Sequence, residues 1–512
     1  MLKSLIKSFI LKKSSMRINK TSHEYFDELY QVIKYFDVNS LKYENEYIWP
    51  YLRNRLWIQL YGLGNGNLKR KEIPYYSIQK GSFNDIKFSN RKQLKKKYHA
   101  LEIDELKEKS FNIDYLFVTV TNAAEQVELK DKKIYLRITD PFFEIANTIG
   151  NAQKIEFLRV KTKTLEKSKN YFYPVQYIIS PSIFKCGFVA KIKFSNLLSI
   201  LKKYMPSIVH SGELLRKSID WELHTRDFYI EVLRELNPKV IFLNGFHFHA
   251  PLISAAHYLN IITVDLQHGI QVGWNPLYNN WEEMPKEGYQ GLPDYFFVWG
   301  KKEYKSIHNV FTGAKHKAII SGNPWLERQL ELTDTLKESY VKKLEKYRVC
   351  ILLVLQKQPN VPDIYKDLID ASSSDYLWIV RHHPKGSKFT VSDFSSKRKK
   401  NILIDPYIDN ISLPQLFRYI HIVVSEGSSV AVEADYFGIY NFIFSAKGKG
   451  NYVEEIKNEA FFFIENAKEF YTKLKTLDME KRISRAKLYE KVNIEQIFKN
   501  LLQESLNKKK DN

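Results

Sequence analysis

The sequence predicts an α/β protein made of two parallel, doubly wound sheets, and three observations carry that expectation. Short apolar runs alternate with helical patterns from Ile113 to Phe444, the pattern of successive βαβ units. Runs such as Val240-Ile241-Phe242-Leu243 and Tyr376-Leu377-Trp378-Ile379-Val380 read as buried strands, because parallel sheets are covered on both faces. The runs fall into two sets divided by a charged helix near Leu336 to Tyr347, and 512 residues are too many for one ordinary core.

Residues 1–108 read as a helical, aromatic-rich extension containing Tyr47-Ile48-Trp49-Pro50-Tyr51-Leu52-Arg53. Within it, Gly62-Leu63-Gly64-Asn65-Gly66 reads as a loop, since closely spaced glycines break helices. The first domain is placed at 109–335. Its strands are expected at Ile113 to Val120, at Lys133 to Ile138 ending in Asp140-Pro141, and at Val240 to Leu243. Further strands are expected at Ile261 to Leu266, Tyr295 to Trp299, and Ala318 to Ile320. Helices are expected within Phe194 to Leu236, over Ala250 to Leu259, and over Glu303 to Val310. The second domain is placed at 336–466, with strands from Val349 to Leu355, Tyr376 to Val380, His421 to Val424 and Tyr440 to Phe444 closing the set. Residues 467–512 read as charged C-terminal helices.

Composition bounds the function. Hydrophobic residues at 44% and aromatics at 14% suffice for globular cores and argue against a disordered chain. The net charge of +21 has three readings: nucleic acid, an anionic membrane surface, or a lysine-rich background. No zinc-finger spacing, RNP pattern or basic heptad array accompanies it, so no nucleic-acid partner is expected. Two cysteines, Cys186 and Cys350, exclude a disulfide framework and fit a reducing, cytoplasmic setting. Near the start, Leu2, Leu5, Ile6, Phe9 and Ile10 share one helical face flanked by Lys3, Lys7, Lys12 and Lys13. That pattern suits a helix lying on a membrane surface, or one packed on the domain.

Two strand ends carry the candidate donor site. Arg381-His382-His383-Pro384 follows one buried strand, where the proline stops the ladder. An Arg381 or His383 side chain there can meet a phosphate by charge-assisted hydrogen bonds; a solvated basic turn is the alternative. Ser425-Glu426-Gly427-Ser428-Ser429 follows another strand and opens a helix near Val430. Gly427 permits a tight turn, a serine caps the helix, and free N–H groups would form an anion site; an N-capped core helix is the alternative. Glu433 lies two turns beyond Glu426 and would accept ribose hydroxyls. Both loops are expected at the carboxyl edge of one parallel sheet, where open α/β folds bind ligands.

The first domain offers Gln267-His268-Gly269 at a strand end. A cleft histidine accepts protons near neutral pH, and Gly269 allows close backbone approach. His247 and His249 alternate after another strand, but no spacing suggests a third ligand, so no metal is expected.

These elements resemble the GT-B glycosyltransferases that build bacterial surface polysaccharides, over roughly Ile113 to Phe444. Pro293-Asp294-Tyr295-Phe296-Phe297-Val298-Trp299-Gly300 and Ser321-Gly322-Asn323-Pro324 are similar to the end of the first domain in such enzymes. His383-Pro384 and Ser428-Ser429 resemble the HP and SS motifs of bacterial sialyltransferases and Kdo transferases, which bind the CMP part of the donor. Gln267-His268-Gly269 resembles the His-Gly element of polysialyltransferases and teichoic-acid glycerophosphotransferases, in which the histidine is a proposed base. The acidic motif that supplies the sialyltransferase base is absent from the first domain, which leaves the donor sugar open.

The resemblance implies a GT-B-like fold, two Rossmann-like domains facing a cleft. It implies transfer from a CMP- or UDP-linked sugar donor to a growing polysaccharide or lipid-linked glycan acceptor, at the inner face of the plasma membrane and with no further cofactor. His268 would be catalytic. Arg381, His383, Pro384, Glu426, Gly427, Ser428, Ser429 and Glu433 would bind the donor, with Gln267, Gly269 and Asn323 also in the cleft. The alternatives are a CDP-glycerol-type polyol-phosphate transferase, a nucleotide-sugar epimerase of the same architecture, and an inactive scaffold.

Overall fold

A computed structural model of the protein describes residues 22–64, 95–96, 98–119, 125–129, 131–158, 170–180, 195–206, 212–271, 277–279, 281, 284–311, 315–332, 336–383, 386–395 and 397–510. The helical face expected around Leu2 to Ile10 and Pro384 lie outside these residues.

The first sheet has seven strands: β1 (Tyr115–Val118), β2 (Ala152–Leu158), β3 (Gln176–Ile179), β4 (Val240–Leu243), β5 (Ile262–Leu266), β6 (Tyr295–Val298) and β7 (Lys317–Ile320). Their order is β7-β6-β5-β4-β1-β2-β3, and every pairing is parallel. The second sheet has six: β8 (Val349–Val354), β9 (Tyr376–Arg381), β10 (Ile402–Leu403), β11 (Ile422–Ser425), β12 (Tyr440–Ile443) and β13 (Phe461–Phe463). Their order is β10-β9-β8-β11-β12-β13, again parallel throughout.

The strands are covered on both sides, as continuous apolar runs require. In β1, Leu116 and Val118 enter one core with Tyr229, Leu233, Leu252 and Ala256, while Tyr115 and Phe117 enter another with Phe142, Phe242 and Phe498. In β8, Val349, Ile351 and Leu353 face one core, and Cys350, Leu352 and Val354 face the other. The expected pair of doubly wound α/β domains is therefore present.

Several local expectations are corrected. Gly62 and Gly64 lie in a helix, α2 (Trp49–Gly64), whose inner face buries Trp49, Leu52, Leu56 and Leu60; that burial outweighs the roughly 1 kcal/mol each glycine costs a helix. The Lys133 segment forms no main-sheet strand. Residues Ile134–Leu136 pair antiparallel with Gln126–Glu128 outside both large sheets. Asp140-Pro141 opens helix α3 (Asp140–Ile149) with proline at a first-turn position, where its missing N–H costs nothing. The second sheet extends past Phe444 to β13, and residues 475–493 are not helical.

The N-terminal helices belong to the first core. Helix α1 (Ser22–Tyr35) and α2 bury Leu29, Val32, Leu52 and Leu56 against Leu197 and Leu201 of α4 (Ser195–Tyr204) and Leu215 and Leu223 of α5 (Gly212–Leu236). Helix α6 (Ala250–Tyr258) packs beside α5. At the other end, α9 (Ile494–Lys510) returns from the second domain, and its Phe498 packs on Tyr115, Phe242 and Phe297.

The returning chain explains two glycines. The Glu490 N–H donates to the Trp299 carbonyl at 3.0 Å. A Cβ on Gly300 would stand 2.3 Å from the Leu488 carbonyl oxygen, and one on Gly322 2.4 Å from that of Glu490. Gly322 also has φ +63°, a left-handed conformation. In the second domain the same strap is pinned by Asp435, whose carboxylate accepts from the Arg485 and Ala486 N–H groups and the Ser484 hydroxyl.

Candidate functional site

In each sheet the strand order reverses, in the first between β1 and β4 and in the second between β8 and β11. The Ser425–Ser429 loop leaves β11 at the second reversal, the position at which open α/β sheets leave a crevice. The Arg381 corner leaves β9, and β8 lies between the two. Both expected corners therefore sit on the carboxyl edge of one sheet, one strand apart.

A narrow pocket opens between the domains. It is lined by Gln267, His268, Trp299 and Asn323 from first-domain strand ends, by Arg137, Ile138, Phe142 and Trp325, and by Glu433 from the second domain. Four expected site residues thus come together: Gln267, His268, Asn323 and Glu433. Arg381, His383, Glu426, Gly427, Ser428, Ser429 and Gly269 are outside this lining.

His268 follows β5 and is half-buried, and its Nδ1 is buried with no hydrogen-bond partner among the described residues. Burial pushes its pKa down to about 4, with the Arg137 guanidinium acting in the same direction. The ring is therefore neutral and able to accept a proton at neutral pH. Gln267 holds the strand end in place: its Nε2 donates to the Gly269 carbonyl at 2.8 Å and its Oε1 accepts from the Trp299 N–H at 2.7 Å. A Cβ on Gly269 would meet nothing within 4 Å among the described residues, whose packing does not require this glycine.

Across the pocket, Glu433 lies in α8 (Val430–Tyr436) and is buried. Burial raises its pKa, against the pull of Arg137 and Arg381. Arg137 reaches it from the first domain at 3.5 Å, while the Arg137 Nε is buried with no partner. Burial lowers the Arg381 pKa to about 10, and its guanidinium donates to the Ile408 carbonyl. Arg381 feels Asp409 first and Glu433 more weakly, and Asp409 is also held by His382 and Lys388 at 2.9 and 2.8 Å. His382 is consequently structural, with its Nε2 accepting from the Phe389 N–H at 3.0 Å. His383, the expected donor-binding histidine, is half-buried beside it.

The serine loop differs from expectation in its N–H groups. The Ser425 hydroxyl accepts from the Gly427 and Ser428 N–H groups at 3.2 and 3.4 Å, and the Ser428 hydroxyl accepts from the Val430 N–H at 3.3 Å. These three donors are already engaged within the loop, and Ser429 precedes α8 without a side-chain capping bond. Gly427 is required: φ is +117°, and a Cβ would lie 2.3 Å from Gly448 Cα. Glu426 is partly buried, which raises its pKa, while Lys447 pulls it back. Tyr452 braces the loop by donating to the Ser428 carbonyl at 2.8 Å.

A second bridge closes the domains. Lys302, in α7 (Lys301–Val310), donates to Glu455 at 2.6 Å and to the Asn451 carbonyl at 2.7 Å. Beside it Trp299 packs into a shared cluster with Val432, Ile443, Tyr452 and Leu488. Among the pocket residues, Arg137, Trp299, Trp325 and Phe142 were not expected from sequence. Arg137 comes from the small antiparallel pair, which no strand-end pattern marks.

The chain matches no family model and no curated protein. Among solved structures it is similar to UDP-GlcNAc 2-epimerase from Neisseria meningitidis bound to UDP-GlcNAc, at 14% identity and a TM-score of 0.46 over 77% of this chain and 99% of that one. It is similar to UDP-GlcNAc 2-epimerase from Methanocaldococcus jannaschii, at 12% identity and a TM-score of 0.46 over 77% and 99%. It is also similar to the wall teichoic acid polymerase TagF, at 11% identity and a TM-score of 0.39 over 78% and 90%.

Proposed function

We propose that this protein is a glycosyltransferase that moves a sugar from a nucleotide-activated donor, CMP- or UDP-linked, to a bacterial surface polysaccharide or lipid-linked acceptor. One observation carries the reading: a neutral, half-buried histidine shares an interdomain pocket with the Arg137 guanidinium and with Glu433, whose carboxylate also feels Arg381 from the second domain. Positive charge in a partly desolvated cleft suits an anion, and a donor phosphate can take the place of Glu433 at Arg137.

In this reading His268 accepts the proton of the acceptor hydroxyl as its oxygen attacks the anomeric carbon. The bond from that carbon to the phosphate oxygen breaks, and Arg137 and Arg381 stabilise the charge on the departing nucleotide. Glu433 and the loop of Glu426, Gly427, Ser428 and Ser429 hold the nucleoside, with His383 on the opposite corner. Replacing His268 by Ala is expected to lower turnover about a hundredfold while donor affinity is kept. Nucleotide release from CMP- and UDP-linked sugars, measured with acceptor present, checks this; unchanged turnover would remove His268 as the base. The same guanidiniums suit a CDP-linked polyol phosphate, in which a phosphorus–oxygen bond breaks instead, so CDP-glycerol belongs in the donor panel.

The acceptor places the work at the inner face of the plasma membrane. No described helix is long and apolar enough to cross a membrane. Attachment then rests on the basic surface and on Met1 to Ser14, where each cation near an anionic leaflet contributes about 1 kcal/mol. Sedimentation with anionic vesicles is expected to fall on deleting Met1 to Ser14 and at high salt. Absence of sedimentation in both forms would contradict membrane attachment.

A further inference from the structure

A second cavity, larger than the cleft pocket, lies away from it. It is a groove of about 640 Å³ between residues 43–46, the second half of α5, the end of α6 and the loop 287–290. His257 precedes β5 and Lys315 precedes β7, so the groove borders the amino edge of the first sheet. The cleft borders the carboxyl edge, about 15 Å away along strands of this length.

We propose that this groove binds an uncharged oligosaccharide. Its charge decides the ligand class. Five carboxylates and three lysine or arginine cations line it, in a chain whose net charge is +21. An acid-rich lining repels phosphates, nucleotides and anionic lipid. The remaining groups suit sugars. Tyr258 stands on the rim at 65% exposure, the most exposed large hydrophobic residue described, with the Arg234 guanidinium 5.9 Å from its ring. A flat aromatic face covers the C–H face of a sugar, and Asn45, Gln290 and Glu231 offer planar donors and acceptors to its hydroxyls.

The groove is rigid before any ligand arrives. Glu46 on its floor accepts from Tyr51, Ser254 and Arg226. Gln290 accepts from the Tyr47 N–H at 3.3 Å, and the Tyr47 hydroxyl donates to Glu287 at 2.6 Å. These bonds fix the short ladder Lys42–Tyr43 with Glu46–Tyr47 as one wall. The N-terminal extension thereby supplies a binding surface that the two sheets alone would lack, and ordering costs are already met in the free protein.

The test uses the full chain on an array of neutral hexose and N-acetylhexosamine oligosaccharides, with heparin-derived oligosaccharides as the anionic comparison. Binding of a neutral oligosaccharide is expected, weakened about tenfold by Tyr258→Ala and also weakened by Glu231→Gln. Tyr258 is exposed, so its replacement leaves the fold intact, which an unchanged thermal midpoint verifies. Failure of every neutral oligosaccharide to bind at millimolar concentration would overturn the proposal. So would preference for heparin fragments, or neutral binding unaltered in both variants. Thermal shifts with nucleotides read the cleft separately, and neither variant alters a residue of the cleft.

Discussion

At the scale of single residues, two histidines, His316 buried and His268 half-buried, contribute to the acid behaviour of the first domain. Burial pushes His268 and His316 down from 6.5 to about 4. Their neutral forms are favoured in the folded state, so their contribution is full above the unfolded value and is lost as pH falls from 6.5 towards 4. His316 accepts the Tyr289 N–H on Nε2 at 2.9 Å and meets the Pro293 carbonyl through Nδ1 at 2.7 Å, so a second proton would also cost a hydrogen bond. Unfolding free energies from denaturant titration are expected to fall between about pH 7 and pH 4.5, by up to about 3 kcal/mol per histidine. A flat profile across that range would contradict the burial of both rings. For His268 the same shift means that the acid limb of turnover lies well below pH 6.5. His268 was legible in the sequence because a strand end followed by Gly269 marks a crevice. Arg137 was not, because its partner Glu433 lies 296 residues away and only the folded chain brings them together.

At the scale of elements, the strands that were legible are continuous apolar runs. Of those that were missed, β10 and β13 are only two and three residues long, and β2 carries charge. Strand β2 includes Lys154, buried and paired with Asp140, a pairing that a local pattern cannot anticipate. The expected free N–H groups of the serine loop failed for a related reason: serine side chains satisfied them locally. The glycines divide into two kinds, and mutation separates them. Gly322→Ala forces contact with the Glu490 carbonyl at a left-handed φ and is expected to cost about 1–3 kcal/mol in denaturant unfolding. Gly269→Ala meets no atom of the described residues within 4 Å and is expected to leave stability unchanged while weakening donor binding. Equal stability of the two variants would contradict the close passage of the returning strap.

At the scale of the whole molecule, the two sheets and their division were legible from the alternation of runs and helices. How the chain ties them together was not. The strap from Arg482 to Glu490 and helix α9 return to the first domain, where Phe498 completes its core. The N-terminal helices likewise share that core. Charge bridges from Arg137 to Glu433 and from Lys302 to Glu455 then hold the cleft narrow, and donor binding must exchange the first of them. The central claim is that this cleft binds a nucleotide-activated donor. Thermal unfolding of the full chain with a panel of cytidine and uridine nucleotides tests it most directly. At a hundredfold excess over the dissociation constant, a bound nucleotide adds about 2.7 kcal/mol, so the midpoint should rise with at least one of them and rise less in the Arg381→Ala variant. No rise with any nucleotide at millimolar concentration, or equal rises in both proteins, would contradict it.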